Sequence, residues 1–369
     1  MVFGLSVSSS WGDGHATLWR GLIKALAALG HRVIFFEHDL PDYALHRDLH
    51  EISSGELILY PSWDKVRRQA KRHLTEADAA IVTSYCPDAI PACEEVLSSP
   101  ARVRCFYDLD TGETLDRLRS GEPVAYIPTG GLRDFDLVLS YTGGQALAEL
   151  KARLGARHVA PLYGCVDLDV YHPAPPEERF RAALSYLGAY AADCQTALED
   201  LLLEPARRRP DLRFIIAGEQ YPVDVPWMEN ILFRGPVPPP EQVGFYASSR
   251  LTLRVTRRQL AELGYCPSAR LFEAAACGVP IVSDEWEGLD YFFEPGREIL
   301  VARTTGHVMD ALAMSDEALA RIARAGRERA LASHTAARRA LELENILEAA
   351  VSLPVEAAAG QTSPGTARE

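Results

Sequence analysis

The sequence predicts an α/β protein with two doubly wound parallel sheets, and three observations predict it. The first 36 residues read strand, helix, strand, a βαβ unit whose two strands must run parallel. After a Pro-rich stretch at Pro173–Glu178 the same alternation starts again. A length of 369 residues is too long for one ordinary domain and suits two of ~150–180 residues. The expected division is residues 1–165, residues 166–350 and a tail over 351–369.

In order, Val2–Ser8 reads as a strand and SSWGDG over Ser9–Gly14 as a loop. His15–Leu29 reads as a helix, because Leu18, Leu22, Ala25, Leu26 and Leu29 share one face. Gly30 ends it and Arg32–Phe36 is the next strand. The GDG turn lacks the third glycine of a dinucleotide fingerprint, so a Rossmann oxidoreductase is not supported. His46 and His50 have the i, i+4 spacing that can bind a metal on a helix, but no third ligand accompanies them and a solvated helix is expected. Leu57–Tyr60, Ala79–Thr83 and Val103–Tyr107 read as strands, with helices at Trp63–Leu74 and Ile90–Leu97 between them.

FYDLDTGET follows at Phe106–Thr114. Asp108 and Asp110 sit at the carboxyl end of a strand, where open α/β sheets place their ligands. Either carboxylate is a candidate base for a hydroxyl. Capping of the helix that begins near Thr111 is the competing role, and it suits Asp110 better. Asp136–Ser140 is the next strand; Gly143 and Gly144 turn it into the helix Gln145–Leu154.

In the second half, strands are expected at Leu184–Leu187, Leu212–Ala217, Ile231–Arg234, Leu251–Val255, Val279–Val282 and Ile299–Val301. Helices are expected at Cys194–Ala206, Pro239–Ala247, Asp316–Ala332 and Thr335–Ala350. The Arg338, Arg339, Glu342 and Glu344 group reads as a solvated face. From Pro354 the chain has almost no large apolar residue, and disorder is expected there.

The stretch with most chemistry is YCPSARLFEAAACGVPIV, Tyr265–Val282. Ser268 suits an N-cap, Leu271, Ala274 and Ala275 share a face, and Gly278 with Pro280 forms a helix stop. Arg270 and Glu273 are i, i+3 and leave the first turns on one side. A cation and a carboxylate at a helix N-terminus suit a phosphate and a ribose. A packing helix with an incidental ion pair fits the same residues.

Composition narrows the class. Hydrophobic content of 47% and charged content of 24% are those of a soluble globular chain. A net charge of −13 argues against nucleic acid as the main partner. Seven cysteines without a CxxC read as reduced thiols, and with no apolar run of ~18 residues and no leader-like start, a cytoplasmic protein is expected.

RLFEAAACGVPIVSD resembles the nucleotide-sugar helix of GT-B glycosyltransferases (glycosyl transferases group 1, family 4-like), whose usual form is EAMACGTPVI. It is closer to the R-x-F-E-A-A-A-C-G-x-P run of the CgeB-like bacterial group. WGDGHAT, FYDLDT and the glycine turn at Gly143–Gly144 resemble that group's WGNGHAT, FYDIDT and TGG motifs, and the VDLDVYHP segment resembles the GVD-x-x-x-F-x-P hinge of GT-B enzymes, so the likeness spans Val2 to about Ala350. The resemblance implies a GT-B fold with a cleft between two Rossmann-like halves and a last helix that crosses back to the first half. It implies a hexosyltransferase-type enzyme, with a nucleotide-diphosphate sugar as donor substrate, no cofactor and no metal. A glycan, a lipid or a small molecule would be the acceptor. Glu273 takes the place of the second Glu of an E-x7-E pair, the one that binds the donor ribose; the first Glu falls on Tyr265. The expected donor side is Glu273, Arg270, Ser268, Arg257, Arg254, Gly188 and Tyr190, where the three arginines replace the Arg and Lys usually found after the first strand of this half. The expected acceptor side is His15, Asp108 and Asp110 with the loops at Gly14, Gly143 and Gly144. A nucleotide-sugar epimerase and a catalytically silent sugar-binding or spore-coat-like protein are the alternatives.

Overall fold

A computed structural model describes residues 1–10, 14–222 and 227–352. The Trp11–Asp13 part of the first loop and the tail from Leu353 lie outside the described residues.

Among the described residues, thirteen strands form two all-parallel sheets. The first takes β1 (Val2–Gly4), β2 (Val33–His38), β3 (Gly55–Tyr60), β4 (Ala79–Thr83), β5 (Val103–Asp108), β6 (Leu137–Ser140) and β7 (Val159–Pro161), in the order β3-β2-β1-β4-β5-β6-β7. The second takes β8 (Ala182–Leu187), β9 (Phe214–Ala217), β10 (Ile231–Arg234), β11 (Ser249–Arg254), β12 (Ile281–Ser283) and β13 (Leu300–Val301), in the order β10-β9-β8-β11-β12-β13. In both, the winding reverses at the first strand, so a ligand crevice opens beyond the carboxyl ends of β1 and β8.

Several elements depart from expectation for identifiable reasons. β1 stops at Gly4 because a buried carboxylate captures the next backbone donors. Glu37 Oε2 accepts from Val7 N (2.6 Å) and Ser8 N (2.9 Å). The expected helix Cys194–Ala206 is broken into an α-turn at Gln195–Leu198, a π-turn at Glu199–Leu203 and an α-turn at Glu204–Arg208. Pro205 has no N–H and its ring crowds the carbonyl four residues back, and the wider turn accommodates it. The short helix Pro41–Leu45 ends before His46, so His46 and His50 share no helix face. Strand β7 was not anticipated; three half-buried residues ending in Pro161 carry little strand signal.

The helix Ala336–Val351 crosses back as expected. Ala336, Ala340, Leu343 and Ala350 join Leu18, Trp19 and Leu22 of the first helix (His15–Ala28) in one buried cluster under the first sheet. Arg339 is a correction: it is not solvated but 2% exposed. Its Nη2 donates to the Gly164 carbonyl (3.1 Å) and its guanidinium lies 5.8 Å from the Tyr163 ring centroid. The chain therefore crosses between the halves twice at one place. Val166 N donates to His334 O and Ala336 N donates to Val166 O, both at 2.9 Å.

Candidate active site

Where the carboxyl ends of the two sheets face each other lies a cavity of about 350 Å³. One wall comes from the loops after β1, β5 and β6, including Gly14, His15, Asp110, Glu113 and Thr142. The other comes from the ends of β11 and the start of the helix Ala269–Cys277, including Arg254, Arg257, Ser268, Arg270 and Glu273.

The second wall is built around that helix. Ser268 Oγ accepts from Arg270 N (3.3 Å) and caps it, and Gly278 closes it in the left-handed region at φ 78°. The other N-terminal N–H groups and the helix dipole favour an anion there. Glu273 is 5% exposed. Burial pushes its carboxyl up to about 7, against the pull of Arg270, Arg254 and a hydrogen bond with Tyr171. The Arg254 Nε is buried with no hydrogen-bond partner among the described residues. Arg257 Nε lies 3.5 Å from Asp193 Oδ1. Thr256 N and Oγ1 each donate to Asp284 at 2.9 Å, which fixes the backbone between the two arginines. Asp284 and Thr256 were not singled out from sequence, although both sit at strand ends.

On the first wall, Asp110 Oδ2 meets His15 Nε2 at 2.9 Å and accepts from Ser84 Oγ at 2.8 Å. Asp108 does not line the cavity; it is fully buried behind Asp110. Its Oδ1 accepts from Asp110 N (3.1 Å) and Thr114 Oγ1 (3.0 Å), while Oδ2 has no partner among the described residues. Burial first, then the Asp110 charge, pushes the Asp108 carboxyl up to about 7. Ser84 was missed in the sequence, though it follows β4 at the same sheet edge.

The raised Asp108 value fixes a sign. The folded chain holds this proton at a pH where the unfolded chain has lost it, so the contribution to stability is complete below about pH 4 and is lost as pH rises towards 7. Burial pushes His334 the other way, down to about 4. The comparison is therefore a difference: Asp108→Asn, which keeps an acceptor for Asp110 N and Thr114, should lose less melting temperature between pH 5 and pH 8 than the parent. Equal losses would remove Asp108 from the account.

Four expected positions stand elsewhere. Gly143 and Gly144 do not form an open acceptor loop. Gly143 N donates to Tyr265 O (2.9 Å), Gln145 N donates to Leu263 O (3.0 Å), and a Cβ on Gly144 would lie 2.5 Å from the Leu263 carbonyl. This turn is filled by the opposite half, and Tyr265 is its plug. Tyr265 is held at φ 46°, with its ring against Gly288. Gly188 and Tyr190 do not reach the cavity wall either. Tyr190 N donates to Glu219 O (2.8 Å) and its ring lies 5.8 Å from that of Tyr221, so this turn folds onto the end of β9.

Two doubly wound parallel sheets with facing carboxyl edges and a returning last helix decide the architecture. The fold is GT-B. Residues 196–345 match the family described as glycosyl transferase-like. Among solved structures with the GT-B fold, sucrose-phosphate synthase from Thermosynechococcus elongatus is 13% identical with a TM-score of 0.67, over 94% of this chain and 98% of that one. Anabaena Alr3699/HepE in complex with UDP and glucose is 13% identical with a TM-score of 0.64, over 94% and 99%. An alpha-glucosyltransferase in complex with UDP-glucose and DNA is 12% identical with a TM-score of 0.69, over 94% and 98%. No curated protein matches the sequence. Among the described residues no helix is long and apolar enough to cross a membrane.

Proposed function

We propose that this GT-B chain transfers a sugar from a nucleotide-diphosphate donor to an acceptor hydroxyl. The observation that supports it best is one cavity with Arg254, Arg257, Arg270 and a helix N-terminus on one wall and the His15–Asp110 pair on the other. As the anomeric C–O bond breaks, negative charge grows on the departing diphosphate. Three guanidiniums and the N-terminus of the helix Ala269–Cys277 are arranged to take it up. Glu273 then accepts from the ribose hydroxyls, and Asp110 takes the acceptor proton, held in place by His15 and Ser84. Asp108 acts behind it as a positioning group. A silent binding protein would have no use for a carboxylate and imidazole facing an anion site. HepE and the alpha-glucosyltransferase named above are solved in complex with UDP or UDP-glucose, so a UDP-sugar is the first donor to test.

The test is a screen of nucleotide sugars for release of the nucleotide, with UDP binding followed by calorimetry. Glu273→Ala should weaken UDP binding by roughly tenfold or more, since the ribose loses a charged acceptor. Its melting temperature should not fall, because the carboxylate it removes is buried and poorly solvated. Unchanged affinity would sink the ribose assignment. The arginines and helix terminus also make a divalent ion dispensable in this reading. Activity should persist in excess chelator, and loss restored by magnesium or manganese would count against it.

A further inference from the structure

The helix Trp63–Leu74, between β3 and β4, differs in charge from the rest of the chain. The net charge is −13, yet this helix carries Lys65, Arg67, Arg68, Lys71 and Arg72 against a single acid, Asp64. Its apolar side is already covered: Val66, Ala70 and Leu74 are buried with Phe3, Phe36 and Ile58 in the core of the first half. The cations divide between two faces. Arg67 and Lys71 turn to the neighbouring helix Ala89–Leu97, where Glu95 takes both, at 2.6 Å and 3.3 Å. Lys65, Arg68 and Arg72 follow i, i+3, i+7 spacing, a single stripe on the side opposite the buried one. All three are exposed, and none has an ion pair among the described residues.

The first turn of this helix stands at the carboxyl edge of the first sheet, the edge that also walls the cavity. Asp39 N donates to Tyr60 O there (2.8 Å), and the Tyr60 ring lies 5.2 Å from that of His38 and 6.4 Å from that of Trp63. The short helix Pro41–Leu45 therefore leaves from beside that turn. Leu45 ends it at 80% exposure, more than any other large apolar side chain among the described residues. Unpaired cations on one stripe, with an uncovered leucine next to them, suit anionic headgroups and the acyl boundary beneath. A nucleic acid would suit the stripe but has no use for the leucine, since its bases stack on aromatic rings.

We propose that the outer stripe of Trp63–Leu74, together with Leu45, rests on an anionic lipid bilayer. The buried apolar face keeps the helix from rolling inward, so the contact is peripheral and mainly electrostatic. The acidic net charge does not oppose it strongly. At physiological ionic strength, charges beyond about 8 Å are largely screened, whereas the stripe acts at contact. Each lysine or arginine near such a surface strengthens binding roughly fivefold, so three amount to about 10²-fold. The proposal does not rest on the sugar-transfer reading. Taken with that reading, it directs the search for the acceptor to lipids.

The experiment is co-sedimentation of the full chain with vesicles of phosphatidylcholine alone and of equal parts phosphatidylcholine and phosphatidylglycerol, in low and in high salt. The chain should bind the anionic vesicles, leave the neutral ones, and come off in high salt. Lys65→Gln, Arg68→Gln and Arg72→Gln combined should weaken binding by about 10²-fold, and Leu45→Ser by several-fold. The melting temperature should hold in both variants, because all four side chains are exposed. Arg321→Gln with Arg324→Gln, exposed cations on the helix Asp316–Ser333 of the second half, should change nothing. Equal binding to both vesicles, binding to neither, or a triple variant that binds like the parent would overturn the proposal. A stripe-dependent complex with a single-stranded oligonucleotide, or stripe-dependent self-association in the ultracentrifuge, in place of vesicle binding would overturn it too.

Discussion

Asp110→Asn should lower turnover by ~10²-fold or more while leaving UDP affinity within about twofold, because a general base commonly contributes 10²–10⁴-fold. The substitution keeps an oxygen for Ser84 and His15, whose contacts at 2.8 and 2.9 Å hold the side chain, so the cavity shape survives. Only the capacity to take a proton is removed. Asp108→Asn should behave differently. That side chain is fully buried and faces Thr114 and the Asp110 backbone, so turnover should fall only several-fold. The reverse ranking would show that Asp108, not Asp110, meets the acceptor. Full turnover in both variants would pass the proton to the departing phosphate itself.

The second large effect falls on the donor. Arg254→Leu should weaken UDP binding by about 10²-fold, since a charged hydrogen bond contributes ~1.5–3 kcal/mol and a guanidinium can make two to a phosphate. It should also affect the empty protein. Arg254 counters the burial of both Glu273 and Asp284, and without it both carboxyls move further up. The variant should therefore lose stability relative to the parent as pH rises through 7, the direction for carboxylates held above their ordinary range. Calorimetry that returns parental affinity would place the diphosphate on Arg257 and Arg270 alone.

What could be read in the sequence was what local rules govern. Ser268 as a cap and Gly278 as a left-handed stop need only their own helix, and both stand where the sequence puts them. The edge at which His15 and Asp110 meet follows from the winding of the sheet, which the alternation of strands and helices reveals. What could not be read depends on partners far along the chain. Gly143 and Gly144 look like an open acceptor-side turn until Tyr265 O is seen to accept from Gly143 N and Leu263 O from Gln145 N. Arg339 stands among charges at helix-surface spacing, and only the Gly164 carbonyl and the Tyr163 ring, from the other crossing, show that it points inward. Asp108 and Asp110 alternate like neighbours with one job. The depth of the sheet edge separates them, and depth has no signature in two letters. Pro205, by contrast, is a local signal that the reading of Cys194–Ala206 as one helix passed over.

The return of the last helix has a consequence for how the protein is made. All seven strands of the first sheet are complete by Pro161, yet Trp19, Leu22 and their neighbours share their cluster with Ala340, Leu343 and Ala350. At ordinary rates of synthesis, roughly 10–40 s separate the two. Through that interval the nascent first half waits on the ribosome with an apolar strip uncovered. A chain cut short before Ala336 would never cover it. The second half, whose own clusters draw on residues up to Ala330, can close earlier. Order of synthesis and order of completion are thus inverted: the half that emerges first is finished last, when the helix Ala336–Val351 reaches it.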